Sequence, residues 1–211
     1  MLCLCLLMLG LGDQLLAAPA VSRADGESVP AEEYPVYDRV VESKFLTSMI
    51  RVVLIEHLTL TQLHPEEPVH PSERWFEEQH PFDGRLPSDL IADFIAKNRR
   101  PSRLEPRFQF GARVRFVSPG GAEESDAFLG PQFAAWKRPV LEDDALLDRL
   151  AFSRVAWTLK EDQALVYVAN ERRDGSGAGF LCWLRRQGNK WNLLDTEVVW
   201  VARSDRHERR E

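Results

Sequence analysis

The chain has 211 residues, 44% hydrophobic and 28% charged, with a formal net charge of −6. This composition suits one globular domain and excludes a low-complexity or collagen-like chain. The acidic balance also argues against a nucleic-acid partner, which a basic face would attract.

Residues 1–11 form an apolar run, and Ala18-Pro19-Ala20 follows at the distance of a small-x-small cleavage site. Such a run is too short for a stable membrane anchor. Residues 1–20 are therefore expected to be a secretory signal cut after Ala20, which places the protein outside the cell or in the periplasm. No Lys or Arg precedes the run, a departure from the usual signal. The segment carries one acid, Asp13, so its removal leaves the chain one charge less negative. Cys3 and Cys5 leave with it. Cys182 then stands alone, with no intramolecular disulfide to form, and reads as a buried, inert thiol.

Residues 21–33 are polar, with Gly, Ser and Pro, and are expected as a flexible leader. From Tyr34, the positions Tyr37, Val40, Val41 and Phe45 recur at helical spacing, and Pro35 suits a first turn, so a helix is expected to about Ser48. Residues 49–61 alternate and are rich in Val, Ile, Leu and Thr, as a strand would be. Residues 64–87 carry Pro65, Pro68, Pro71 and Pro81 among acids and read as a long loop. A helix over 88–98 is signed by Ser88 as cap, Leu90, Ile91, Phe94 and Ile95 as its stripe, and Asn98 as its stop. Residues 108–118 alternate as a half-buried strand. Short helices are expected within 126–136 and 141–150, the latter with Leu146, Leu147 and Leu150 turned inward.

Four strand-like runs follow at 152–158, 164–171, 180–186 and 191–202, spaced as an antiparallel meander. Gly188-Asn189 suits a two-residue type II′ turn, which would set Leu184 opposite Leu193 and Trp183 opposite Leu194. Those pairs lie on opposite faces, so both faces of the ribbon are apolar. Residues 203–211 read as a disordered tail. The expected fold class is α+β: one domain over 34–202, with an antiparallel sheet ending in a four-strand meander and packed by the amino-terminal and central helices. A curved, cone-like sheet is one form it could take.

The phrases Asp93-Phe94-Ile95-Ala96-Lys97-Asn98, Phe152-Ser153-Arg154-Val155-Ala156-Trp157 and Gln163-Ala164-Leu165-Val166-Tyr167-Val168, with Trp183-Leu184 through Trp191, resemble a group of uncharacterised secreted bacterial proteins. The resemblance covers roughly residues 37–201. It implies secretion and a shared fold, and it brings no activity. Members often carry a cysteine pair in the glycine-rich hairpin loop. Asp174, Gly175 and Gly177 occupy that loop here, so a bridge-dependent role would be lost.

Chemistry-bearing residues are sparse. His64, His70 and His80, interleaved with acids, are candidate metal ligands, but no HExxH or helical i,i+4 pair preorganises them, and a proline-rich loop that happens to contain histidines is the plainer reading. Arg172 and Arg173 beside a three-glycine loop could hold an anion, or simply solubilise a hairpin tip. Gly175 to Gly179 superficially matches a dinucleotide fingerprint, but a strand follows it rather than a helix, which removes the phosphate-binding dipole. Arg154 within an apolar strand needs solvent or a carboxylate. A meeting with Glu197 across a concave sheet, beside Tyr167, would make a polar ligand site. No catalytic set and no cofactor is expected. A non-catalytic binding domain is the first functional class. A hydrolase with a dispersed His/acid site is the second, with Ser153 or Ser176 as a nucleophile, since Glu56 and His57 point opposite ways along a strand.

Overall fold

The first helical segment starts earlier than its periodicity predicts. Ala31–Glu33 form a 3-10 turn, Tyr34–Val40 form helix α1, and Val41–Phe45 continue as a π-helical turn. Val36, Tyr37, Val40 and Val41 make its fully buried stripe. The computed structural model describes residues 27–118, 146–172 and 174–203. The expected leader is corrected within that range. Val29 N–H bonds to Arg103 O at 2.9 Å, and Val29 and Glu33 are both buried. The expected helix in 126–136 lies outside the described residues.

Among the described residues, seven strands form one open sheet, in the order β2-β1-β3-β5-β6-β7, with β4 pairing β5. They are β1 (Val52–Glu56), β2 (Arg113–Val117), β3 (Leu146–Phe152), β4 (Ala156–Trp157), β5 (Gln163–Glu171), β6 (Gly177–Gln187) and β7 (Lys190–Ala202). β1 is parallel to both its neighbours, and the remaining pairs are antiparallel. The sheet is therefore mixed but mostly antiparallel, and the class is α+β.

β3 corrects the helix expected over 141–150. Leu146, Leu147 and Leu150 suit a helical face, but Leu150 and Phe152 also alternate at period two. The slot between β1 and β5 supplies both with burial and pairs Phe152 with Val168. Tertiary pairing decides such ambiguous runs. The run expected at 152–158 is interrupted, because Tyr167 N–H donates to the Ser153 hydroxyl oxygen at 2.8 Å rather than to a backbone carbonyl. The backbone leaves the ladder for Arg154 and rejoins it at Ala156.

The Gly188 turn forms with φ +60°, and Leu184 pairs with Leu193 as expected. Trp183, however, faces Asp195 rather than Leu194. The register shifts there, and Leu194, the extra residue, is 42% exposed. A β-bulge does this: one strand spends two residues against one of its partner.

Both sheet faces are covered. On one, α1 and the π-helical turn pack on Val53, Ile55, Leu150, Phe152, Val166, Val168 and Leu184. On the other, helix α2 (Glu73–Gln79), the turn Pro81–Gly84 and helix α3 (Ser88–Lys97) pack on Leu165, Tyr167, Leu181, Trp183 and Trp200. α2 and the turn correct the long loop expected over 64–87. Ser72 caps α2 by accepting Trp75 N–H at 3.2 Å. At α3 the expected cap Ser88 is the first helical residue and Pro87 precedes it, while Asn98 closes the helix as expected, onto Phe94 O.

Cys182 is buried as expected, and burial pushes its thiol up to about 12. Without thiolate it is a poor nucleophile. In the chain lacking residues 1–20, Ellman's reagent should find no reactive thiol at pH 8 until denaturant is added; prompt labelling of the native protein would contradict this.

Asp38 ties the helix to the segment before β2, accepting Gln109 N–H at 3.0 Å. Burial raises its carboxyl to about 6, and Glu42 adds to the shift, against the N–H groups of Gln109 and Phe110. An unfolded aspartate titrates near about 3.9. Between those values the native state holds a proton that the unfolded state does not, so this group gains stability as pH falls from 7 towards 4. Asp38→Asn should be more stable than wild type at pH 7 and lose that advantage by about pH 4.5. Urea titrations at several pH values measure the difference, and an advantage that grew on acidification would refute the assignment.

Candidate functional site

Arg154 is the anchor of the site, and its partner is Glu33. The guanidinium is bidentate to the carboxylate, with Nη2 at 2.7 Å and Nε at 3.0 Å from Oε1. Nη1 donates to the Ser102 hydroxyl at 2.9 Å. Glu33 also accepts Tyr37 O–H at 2.9 Å and Val155 N–H at 2.8 Å. Arg154 N–H is held by Asn98 Oδ1 at 2.7 Å. The pair is nearly dry: Glu33 is 1% exposed and Arg154 8%. Burial disfavours the arginine charge, but the carboxylate outweighs it, and the pKa of Arg154 is raised. In the same way, burial and the Glu33 charge hold the Tyr37 hydroxyl well above its usual value. Every strong group here has a partner, so the ion pair acts as a pin that fastens the start of the first helical segment to the sheet.

Above this pin lies a cleft of about 450 Å³. Pro30, Pro35, Trp157 on β4 and Trp191 on β7 line it, the two indole rings 5.1 Å apart. α3 positions Trp157, since Asp93 accepts Trp157 N–H at 2.8 Å and pairs with Lys97 Nζ at 2.8 Å. Lys97 sits 5.8 Å from the Trp157 ring, and Arg186, cross-strand from Trp191, 5.9 Å from that ring. The indole N–H of Trp183 bonds to Gln163 and that of Trp200 to Tyr167. Those of Trp157 and Trp191 meet no acceptor among the described residues. The cleft thus offers two flat aromatic faces, unpaired donors and the exposed Arg186 guanidinium.

The other residues singled out from sequence do not gather here. Tyr167 is buried on the opposite face, donating to Leu63 O and accepting Trp200 Nε1–H at 2.6 Å. Glu197 accepts Phe82 N–H, and Asp195 pairs with Arg85 at 3.1 Å. These two acids hold the turn in which His80, Phe82 and Asp83 all take positive φ. Arg154 and Glu197 therefore do not meet, and the joint site with Tyr167 is not formed. Arg172 lines a separate hollow, and Arg173 lies outside the described residues. His64 accepts Glu66 and Glu67 N–H, His70 bonds to Thr61 O, and His80 lies by Glu78 O. The three histidines thus bind backbone, and no cluster that could hold a metal ion occurs among the described residues. Gly177 and Gly179, expected in a ligand-holding loop, are strand residues packed under Trp200.

Glu33, Trp157, Trp191, Lys97 and Arg186 were not flagged by sequence. Glu33 lies in a stretch that reads as leader. The hairpin register alone sets Arg186 opposite Trp191, and that was the one legible signal. Among the described residues, no helix is long and apolar enough to cross a membrane. No family model, curated protein or solved structure matches this chain.

Proposed function

We propose that this protein is a secreted or periplasmic, non-catalytic binding domain whose ligand lies in the Trp157–Trp191 cleft. The observation that carries the reading is the unpaired tryptophan wall. Two half-buried indoles lie side by side, 5.1 Å apart, with their N–H groups unspent, although the other tryptophans of the sheet bond internally. Pockets of this size, mostly apolar with a few aimed donors, are where small ligands bind. The ligand that fits has a flat apolar face to stack on indole and acceptor atoms at its rim for Arg186 and the indole N–H groups. In this reading the carboxy-terminal strands act as a meander curved towards the first helix, with the cleft as the mouth of a cone. Export rests on the character of residues 1–20 and on the resemblance to secreted proteins.

A fragment screen read on the ¹⁵N indole resonances tests the site. Hits should move the Trp157 and Trp191 signals and leave Trp75, Trp183 and Trp200 in place. If no fragment moved that pair, or if hits clustered elsewhere, the reading would fall.

A further inference from the structure

The charges that line the tryptophan cleft narrow what it can hold. Glu32, Glu33 and Glu161 face Lys97, Arg154 and Arg186, so acids and bases balance. Glu33 and Arg154 bind each other, and Lys97 pairs with Asp93. Glu32, Glu161, Arg186 and Asn189 are exposed where they reach the cleft. They set two carboxylates, a guanidinium and an amide around the half-buried indoles of Trp157 and Trp191.

Local structure holds these groups in place. Glu161 takes φ +53°, a left-handed conformation that a glutamate seldom adopts. Its turn is closed by Glu161 N–H donating to Thr158 O and by the Thr158 hydroxyl donating to Asp162, each at 2.8 Å. Arg186 N–H donates to Asp162 O at 2.8 Å, which ties the β6–β7 hairpin, with Asn189 at its tip, to that same turn. The polar groups therefore come from two turns that are fastened together beside the indoles.

We propose that the cleft binds a neutral saccharide, its C–H surface against Trp157 and Trp191 and its hydroxyls on Glu32, Glu161, Arg186 and Asn189. This rests on the reading of the cleft as the binding site and names the ligand class. A hydroxyl both donates and accepts, so one polyol can serve carboxylates, guanidinium and amide together. The negative face of an indole attracts the weakly positive hydrogens of a sugar ring. A cationic ligand would meet Lys97 and Arg186, which already lie 5.8 Å and 5.9 Å from the indole rings. An anionic ligand would meet Glu32 and Glu161.

Titration of the folded protein, read on the ¹⁵N indole resonances, tests it. The probes are cellotriose, maltotriose, xylotriose, mannotriose and tri-N-acetylchitotriose, with tryptamine and indole-3-acetate as cationic and anionic controls. At least one saccharide should move the Trp157 and Trp191 signals saturably, and both controls should bind more weakly. Glu161→Ala and Asn189→Ala should each weaken that binding about tenfold. Both replace exposed side chains, and unchanged Trp183 and Trp200 signals verify that each variant is folded. The proposal is overturned if no saccharide moves the pair, if a charged control binds more tightly, or if both folded variants keep full affinity. Fragments that move the pair where every saccharide fails would sink the saccharide assignment alone. Should neither fragments nor saccharides move it, the cleft itself falls as the binding site.

Discussion

Replacing Glu33 by glutamine should lower the unfolding free energy by about 3–5 kcal/mol, the largest effect expected of any conservative substitution in this chain. The glutamine keeps the shape but removes the charge, and Arg154 then sits 8% exposed against a neutral partner. The guanidinium would still have Ser102, but it would lose the bidentate pair, and Tyr37 and Val155 would lose a charged acceptor. The cost comes from stranding a charge, so removing both charges should hurt less than removing one. In a double-mutant cycle, Glu33→Gln with Arg154→Met should be more stable than Glu33→Gln alone. Urea denaturation of the four proteins measures this. Singles that lost under about 1 kcal/mol, as exposed pairs do, would show that water reaches the pair.

Gly179→Ala should cost about 3 kcal/mol through overpacking. Gly179 has an ordinary strand conformation, so conformational freedom is not the issue. A Cβ there would stand 2.1 Å from Trp200 Nε1 and 2.6 Å from the Tyr167 hydroxyl oxygen. Those two atoms are bonded to each other, and the tyrosine also donates to Leu63 O, so a methyl group must break the link between β7, β5 and the segment that leads to α2. In a Trp200→Leu background the indole is gone but the Tyr167 hydroxyl still crowds the new methyl, so the same alanine should cost about 1 kcal/mol less than in the wild type. Thermal unfolding of the two single variants and the double variant reads this directly. An undiminished penalty in the leucine background would place the strain elsewhere.

The glycine illustrates how much of the architecture could be read from the chain. From composition, Gly175, Gly177 and Gly179 look alike. Only Gly175 takes a positive φ, of +82°, in the turn, while Gly177 and Gly179 are small because a tryptophan lies over them. The strands at β5, β6 and β7, the Gly188 turn and the apolar character of both faces were legible, because they depend on period-two alternation and on turn chemistry. The bulge at Leu194 was not, since a one-residue insertion leaves the alternation almost intact. Leu146 to Leu150 read as helix because leucine serves both periods. The candidate site was less legible still. Arg154 was flagged as needing a carboxylate, but the partner supplied by the fold is Glu33, 121 residues earlier, not Glu197.

What the amino-acid order determined alone is local: where helices and strands form, which side chains alternate inward, and that a lone arginine in an apolar run demands an acid. The tertiary structure decided which acid answers it, and which tryptophans keep their indole N–H groups unspent. Those outcomes depend on contacts between residues far apart in sequence. Pattern and propensity act over a turn or a strand, whereas the partner of a buried charge is set by the packing of distant elements.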